Sequence, residues 1–151
     1  MLVMYLTQKT VKHRKGEWIV ASGLSVALPL TISDVFGVYN LNTTFEQLAK
    51  QNLKMLILTI PGERIMDPSY GVGLRRYLFE QNDSNTYSDI SSKIIEQVQK
   101  YLSYIRIDDI QFQIPENNPA IFPHNLSVGI LFTILPIQSS AALQIDVEQT
   151  I

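Results

Sequence analysis

The sequence predicts an α+β domain, and three observations carry that reading. Two stretches repeat apolar residues at helical spacing, one on each side of a segment rich in glycine and proline. From Ile110 onward the apolar repeat shortens to about two residues, the period of a strand with one buried face. Helices first and strands after, within one chain, describe helices packed on an antiparallel sheet. The expected architecture is two main helices plus a short one on a small, mainly antiparallel C-terminal sheet, with an extended N-terminal arm. Residues 1–20 are expected to be the arm and residues 21–151 the domain.

The elements follow in order. Residues 1–42 carry no strong periodicity and read as irregular. Trp18 to Ala21 and Leu24 to Leu28 could form short extended pieces, punctuated by Gly23, Pro29 and Gly37. The first helix is predicted from about residue 43 to 59. Thr44 with Gln47, or Thr43 with Glu46, has the spacing of a capping box. Phe45, Leu48, Ala49, Leu53, Leu56 and Ile57 then share one face, and Pro61-Gly62 ends the run. A short helical turn is expected from Leu74, followed by a polar break from Gln81 to Thr86.

The second long helix is predicted to start near Ser88, with Asp89 favourably placed in its first turn. Ile90, Ile94, Val98, Tyr101, Leu102 and Ile105 trace its apolar stripe, and Glu96 with Lys100 makes an i,i+4 pair. Ile110, Phe112 and Ile114 then alternate with glutamines, and Pro115 to Pro123 is a loop. Leu126, Val128, Ile130, Phe132 and Ile134 alternate as a second strand. Leu143, Ile145 and Val147 do so as a third, with Gln144 on the outer side.

Composition narrows the function classes. Charged residues are 17% of the chain, below the usual quarter, which suits a subunit with much of its surface against neighbours. The net charge of −2 gives no reason to expect a nucleic-acid partner. The charge is uneven, +4 over residues 1–76 and −6 over 77–151, so the molecule is polar along its sequence. The absence of cysteine excludes disulfides, thiolate metal sites and cysteine nucleophiles. The N-terminus is apolar before it is basic, the reverse of a signal peptide, and no run is long enough to span a bilayer, so a soluble protein is expected.

Chemistry-bearing residues are few. The histidines, His13 and His124, stand apart from any Gly-x-Ser-x-Gly elbow and lack the spacing of metal ligands. Glycoside cleavage needs two carboxylates with separated pKa values. Glu63 with Asp67, followed by Glu80 and Asp83, are the candidates, but Arg64, Arg75 and Arg76 lie close in sequence and favour ionised carboxylates. Gly71-Val-Gly73-Leu74 is too short for a dinucleotide fingerprint and more simply marks a positive-φ turn. No enzyme, cofactor or metal is expected.

The central segment carries more. Leu56-Ile-Leu-Thr-Ile-Pro-Gly-Glu-Arg-Ile-Met-Asp-Pro-Ser-Tyr-Gly-Val-Gly-Leu-Arg-Arg-Tyr-Leu-Phe-Glu80 closely resembles the signature of the phage baseplate wedge family, also called lysozyme-like baseplate proteins. That family shows Thr-x-Pro-Gly-Glu-Arg, then Pro-x-Tyr/Phe-Gly-x-Gly-Leu, then Leu-Phe-Glu/Asp. The shared residues include Pro61, Gly62, Glu63, Arg64, Gly71, Gly73, Leu74 and, beside them, Arg75. Family members usually have Glu-Pro-Arg-Ile at the end of the second long helix. Here Tyr104-Ile105-Arg106-Ile107 keeps the Arg-Ile and lacks the Glu-Pro.

The resemblance implies a structural subunit of a contractile-tail baseplate, present in several copies of a symmetric assembly. Its implied partners are other wedge proteins, the tail sheath protein and the tube or hub, with neither nucleic acid nor membrane. The implied location is the virion tail baseplate, assembled in the host cytoplasm. A free edge of the terminal sheet could then take a strand from the first sheath ring. Two further readings follow from the same family: a peptidoglycan-cleaving enzyme of the tail, and a baseplate subunit of a type VI secretion system. A protease anti-adaptor shares the family fold but would lack the Pro-Gly-Glu-Arg and Gly-x-Gly-Leu runs.

Overall fold

A computed structural model describes residues 10–12, 18–20, 23–32, 39–80, 83–113 and 126–147. The chain divides into two compact units, residues 1–51 and 52–151.

In the first unit the stretch read as irregular contains paired strands. β1 (Thr10–Lys12) lies antiparallel to β2 (Trp18–Val20), and β3 (Ser25–Val26) to β4 (Leu41–Asn42). β2 and β3 fall within the extended pieces expected at Trp18 to Ala21 and Leu24 to Leu28, while β1 and β4, of three and two residues, are too short to show a period in the sequence. Gln51 ties β3 and β4 to the helix that follows. Its Oε1 accepts from the Leu28 amide and from Asn42 Nδ2 (2.9 Å each), and its Nε2 donates to the Val26 carbonyl (3.0 Å).

Helix α1 (Phe45–Leu58) opens on the capping box expected at Thr44 and Gln47. The Gln47 amide donates to Thr44 Oγ1 (3.2 Å), and Gln47 Oε1 accepts from the amides of Thr43 and Thr44. Ala49, Leu53, Leu56 and Ile57 are fully buried on its inner face.

In the second unit, a 3-10 helix, η1 (Leu74–Phe79), occupies the place of the expected short turn. Helix α2 (Ser84–Tyr101) begins a turn earlier than the sequence reading. Asp83, not a residue near Ser88, ends the polar break: its side chain accepts from the Thr86 amide (2.8 Å) and caps the helix. Glu96 pairs with Lys93 (2.9 Å) and not with Lys100, whose ammonium donates to Ser69 Oγ (2.9 Å). Ile105 is the first residue of β5 and not the last of the helical stripe, because the chain turns at Leu102 to Tyr104.

The sheet has the order β5–β6–β7, all antiparallel, from β5 (Ile105–Gln113), β6 (Leu126–Ile134) and β7 (Ser139–Val147). β5 starts five residues before the alternation seen in the sequence. A register shift between Ile107 and Asp109 explains this, since one extra residue keeps Ile105, Ile107, Ile110 and Phe112 all opposite inward-facing β6 residues. Leu126, Val128, Ile130, Phe132 and Ile134 are buried and form the core with Leu53, Leu56, Ile57, Leu74, Ile90, Ile94 and Val98. Ile114, the loop 115–123 and both histidines lie outside the described residues.

The braced loop and the free strand edge

The segment from Pro61 to Gly73 is a loop closed by its own hydrogen bonds. The Gly62 amide donates to the Pro68 carbonyl (2.9 Å) and the Tyr70 amide to the Asp67 carbonyl (3.2 Å). Glu63 and Arg64 are adjacent and both exposed, and they do not pair with each other. Glu63 Oε2 accepts from the amide of Ile60 (3.0 Å), two residues past the end of α1. The Arg64 guanidinium lies 3.5 Å from the centre of the Tyr70 ring. Burial, partly opposed by that guanidinium, raises the Tyr70 pKa. The charges therefore brace the loop through its backbone and an aromatic face, and not through a pair with each other.

The far end of the loop is bound into the core. The Gly71 amide donates to Gln97 Oε1 (2.9 Å), and the Val72 amide to the Leu56 carbonyl (3.0 Å). Gly71 and Gly73 have φ of 107° and 74°, the positive values expected from the sequence. Gly73 precedes η1, where Leu74 is fully buried and Arg75 exposed. Gln97, 2% exposed among apolar neighbours, is a residue that sequence reasoning missed. Its position three after Ile94 on the buried stripe was the available signal.

A polar cluster flanks the loop. Ser69 Oγ donates to Asp67 Oδ1 (2.8 Å), sits 2.9 Å from the Tyr101 hydroxyl and accepts from Lys100. The Tyr101 hydroxyl, then Ser69, hold the Asp67 carboxyl below its usual range. Hydrogen bonding to Tyr101 raises the Lys100 pKa above its ordinary value. Capping α2 likewise lowers Asp83, chiefly through the Thr86 amide. Among the described residues no group of His, Asp or Glu could hold a metal ion, and no helix is long and apolar enough to cross a membrane.

The strand residues divide by direction. Leu126, Val128, Ile130, Phe132, Ile145 and Val147 are buried and Leu143 is half-buried, so they fix the register from within. Gln144 is exposed, and its Nε2 donates to Asp146 (3.1 Å). Ser127, ahead of Gln144, lowers the pKa of Asp146 by hydrogen bonding.

The Leu135 amide donates to the Tyr104 carbonyl (3.0 Å), and amide direction alternates along a strand, so the even-numbered residues of β6 bond to β7. The register, Ile134 opposite Ser139 through Leu126 opposite Val147, then turns the N–H and C=O groups of residues 140, 142, 144 and 146 outward. β7 is an edge strand among the described residues, and its register with β6 is unbroken.

Two grooves gather the remaining candidates. One, of about 580 Å³, brings Glu63 and Arg75 beside Gln144 and Val147, with Lys54 also in its wall. The other, about 310 Å³ and apolar, places Arg106 among Ile95, Val98, Ile107 and Leu135. Arg106 is ion-paired with Asp108 (3.1 Å).

Solved structures share this fold. A Geobacter sulfurreducens protein solved as a candidate tail lysozyme superposes with a TM-score of 0.59 and 17% identity, over 71% of this chain and 93% of that one. A chain of the anti-feeding prophage baseplate, in a six-fold symmetrised reconstruction, gives 0.60 and 24% over 73% and 83%. No curated protein matches the sequence. Two helices on a three-stranded sheet are thus a fold that this chain shares with both solved chains. The profile of baseplate wedge protein gp25 matches residues 43–135, and the chain belongs to that family. It is a contractile-tail baseplate subunit, and its partners include other baseplate components.

Proposed function

We propose that this subunit starts the tail sheath by offering the outer edge of β7 to a strand of the first sheath ring. The observation that carries the reading is the row of outward amides and carbonyls at residues 140, 142, 144 and 146 on an unbroken edge. Such a row supplies pairing energy, and the inward apolar residues supply register, since a slip of one would turn every side chain over. The groove at Glu63 and Arg75 runs beside this edge and has room for the side chains of an added strand. The apolar groove at Arg106 is suited to a helix of the wedge core.

Proline at Gln144 tests the proposal, because it deletes an outward donor and leaves the β6–β7 ladder intact. The Gln144→Pro subunit is expected to melt close to the wild type and enter the baseplate, while the particles fail to gain sheath. Full-length sheaths on particles carrying it would move the contact elsewhere, to the N-terminal arm first.

The name given to the Geobacter neighbour favours a second reading, cleavage of peptidoglycan. The carboxylates argue against it. Asp67 and Asp83 are held ionised by hydrogen bonds, and Glu63 is engaged by a backbone amide, so none of these three is poised as a general acid. Purified protein is expected to show no turnover of peptidoglycan. Turnover that vanishes in Glu63→Gln would establish the enzymatic reading instead.

A further inference from the structure

The groove beside β7 holds two carboxylates and two cations, and they are engaged unequally. Glu63 accepts from the Ile60 amide, and Asp146 accepts from Ser127 and Gln144. Leu126, Val128, Ile145 and Val147 face the core, so Ser127 and Asp146, opposite each other in the register, belong to the outer face of the sheet. The cations differ. Lys54, one turn before Leu58 on α1, and Arg75, at the start of η1, are both exposed. Neither forms an ion pair among the described residues, with Glu63 and Asp146 included.

A strand added along residues 140–146 would alternate its side chains between the same two faces as β7. Those on the helix side would enter the groove against Leu58 and Val147, facing Lys54 and Arg75. A carboxylate there meets two cations that no group of this chain holds, whereas a basic side chain would meet like charge. We infer that the strand received by β7 presents an aspartate or glutamate on its groove side, paired with Lys54 and Arg75. The inference rests on the proposed strand-accepting role of β7 and adds the chemistry of the strand it accepts. Backbone pairing is blind to sequence, so this contact selects the strand and its register. A slip of one residue would turn the acid to the outer face, where Asp146 repels it.

The test uses the full chain in assembling tails. Lys54→Glu combined with Arg75→Glu is expected to leave the melting temperature and entry into the baseplate unchanged, because neither charge has an ion-pair partner among the described residues. Sheath attachment should fall at least about tenfold, while Lys54→Arg with Arg75→Lys keeps it. Carbodiimide treatment of wild-type particles is expected to form an amide between Lys54 Nζ and one aspartate or glutamate of the sheath protein. Lysine in place of that acid should restore sheath to particles carrying the glutamate variant. Sheath attachment of the glutamate variant within about twofold of wild type would overturn the inference. So would an amide joining Lys54 only to Glu63 or to another baseplate protein. Sheathless particles from Gln144→Pro, beside sheathed particles from the glutamate variant, would defeat this inference and leave the edge reading standing. Full sheaths on both would defeat the two together.

Discussion

Gly71→Ala is expected to destabilise the unit of residues 52–151 by more than about 3 kcal/mol. Gly71 has a φ of 107°, where a side chain is strained in any surroundings. Here the surroundings are closed as well. An added Cβ would stand 2.2 Å from the Thr59 carbonyl oxygen and 2.9 Å from its carbon, both backbone atoms at the end of α1. Relief requires moving the loop off the helix, which breaks the Val72–Leu56 and Gly71–Gln97 hydrogen bonds. Gly62→Ala separates strain from collision. Its φ is 99°, but nothing lies within 4 Å of the added atom, so a loss of about 1 kcal/mol is expected. Denaturant unfolding of the two variants measures the difference. Equal losses would mean that conformation alone, and not the approach to Thr59, demands glycine at position 71.

Gln97→Met is expected to cost about 2 kcal/mol. Methionine nearly matches the volume and flexibility of glutamine, so packing around the α2 stripe is kept. What disappears is the acceptor for the Gly71 amide, which stays buried. Equilibrium unfolding gives the size of the loss, and hydrogen exchange at the Gly71 amide gives its location. Unchanged stability together with a still-protected amide would show that another acceptor serves Gly71.

Legibility in the sequence followed the strength of local signals. α1 was readable nearly to its ends because a capping box, a long stripe and Pro61-Gly62 agree. α2 was placed a turn late because the polar run Asp83 to Ser88 looks like a loop until Asp83 is seen bonded to the Thr86 amide. Its far end was overrun because Ile105 fits both the helical stripe and the strand that replaces it. The bulge near Asp108 then shifted the phase of β5, so only its second half showed clean alternation. Within the loop the Pro-Gly-Glu-Arg motif was visible, but its chemistry was not. Which atoms Glu63 and Arg64 would hold depends on Ile60 and Tyr70, and a spacing cannot specify that. Gln97 was overlooked because a polar letter on a helix reads as surface unless its angular position is weighed.

The irregularity in β5 has a consequence for order in space. A sheet with two serviceable edges can be extended at both, and copies of it can string together without limit. In this sheet β5 is bent by its extra residue and carries Arg106, Asp108 and Asp109 at the bend, while β7 is straight in register. In the proposed role, strand pairing is thereby confined to one side, a sheath begun there takes its direction from its first contact, and this subunit stays out of the repeat as a terminus.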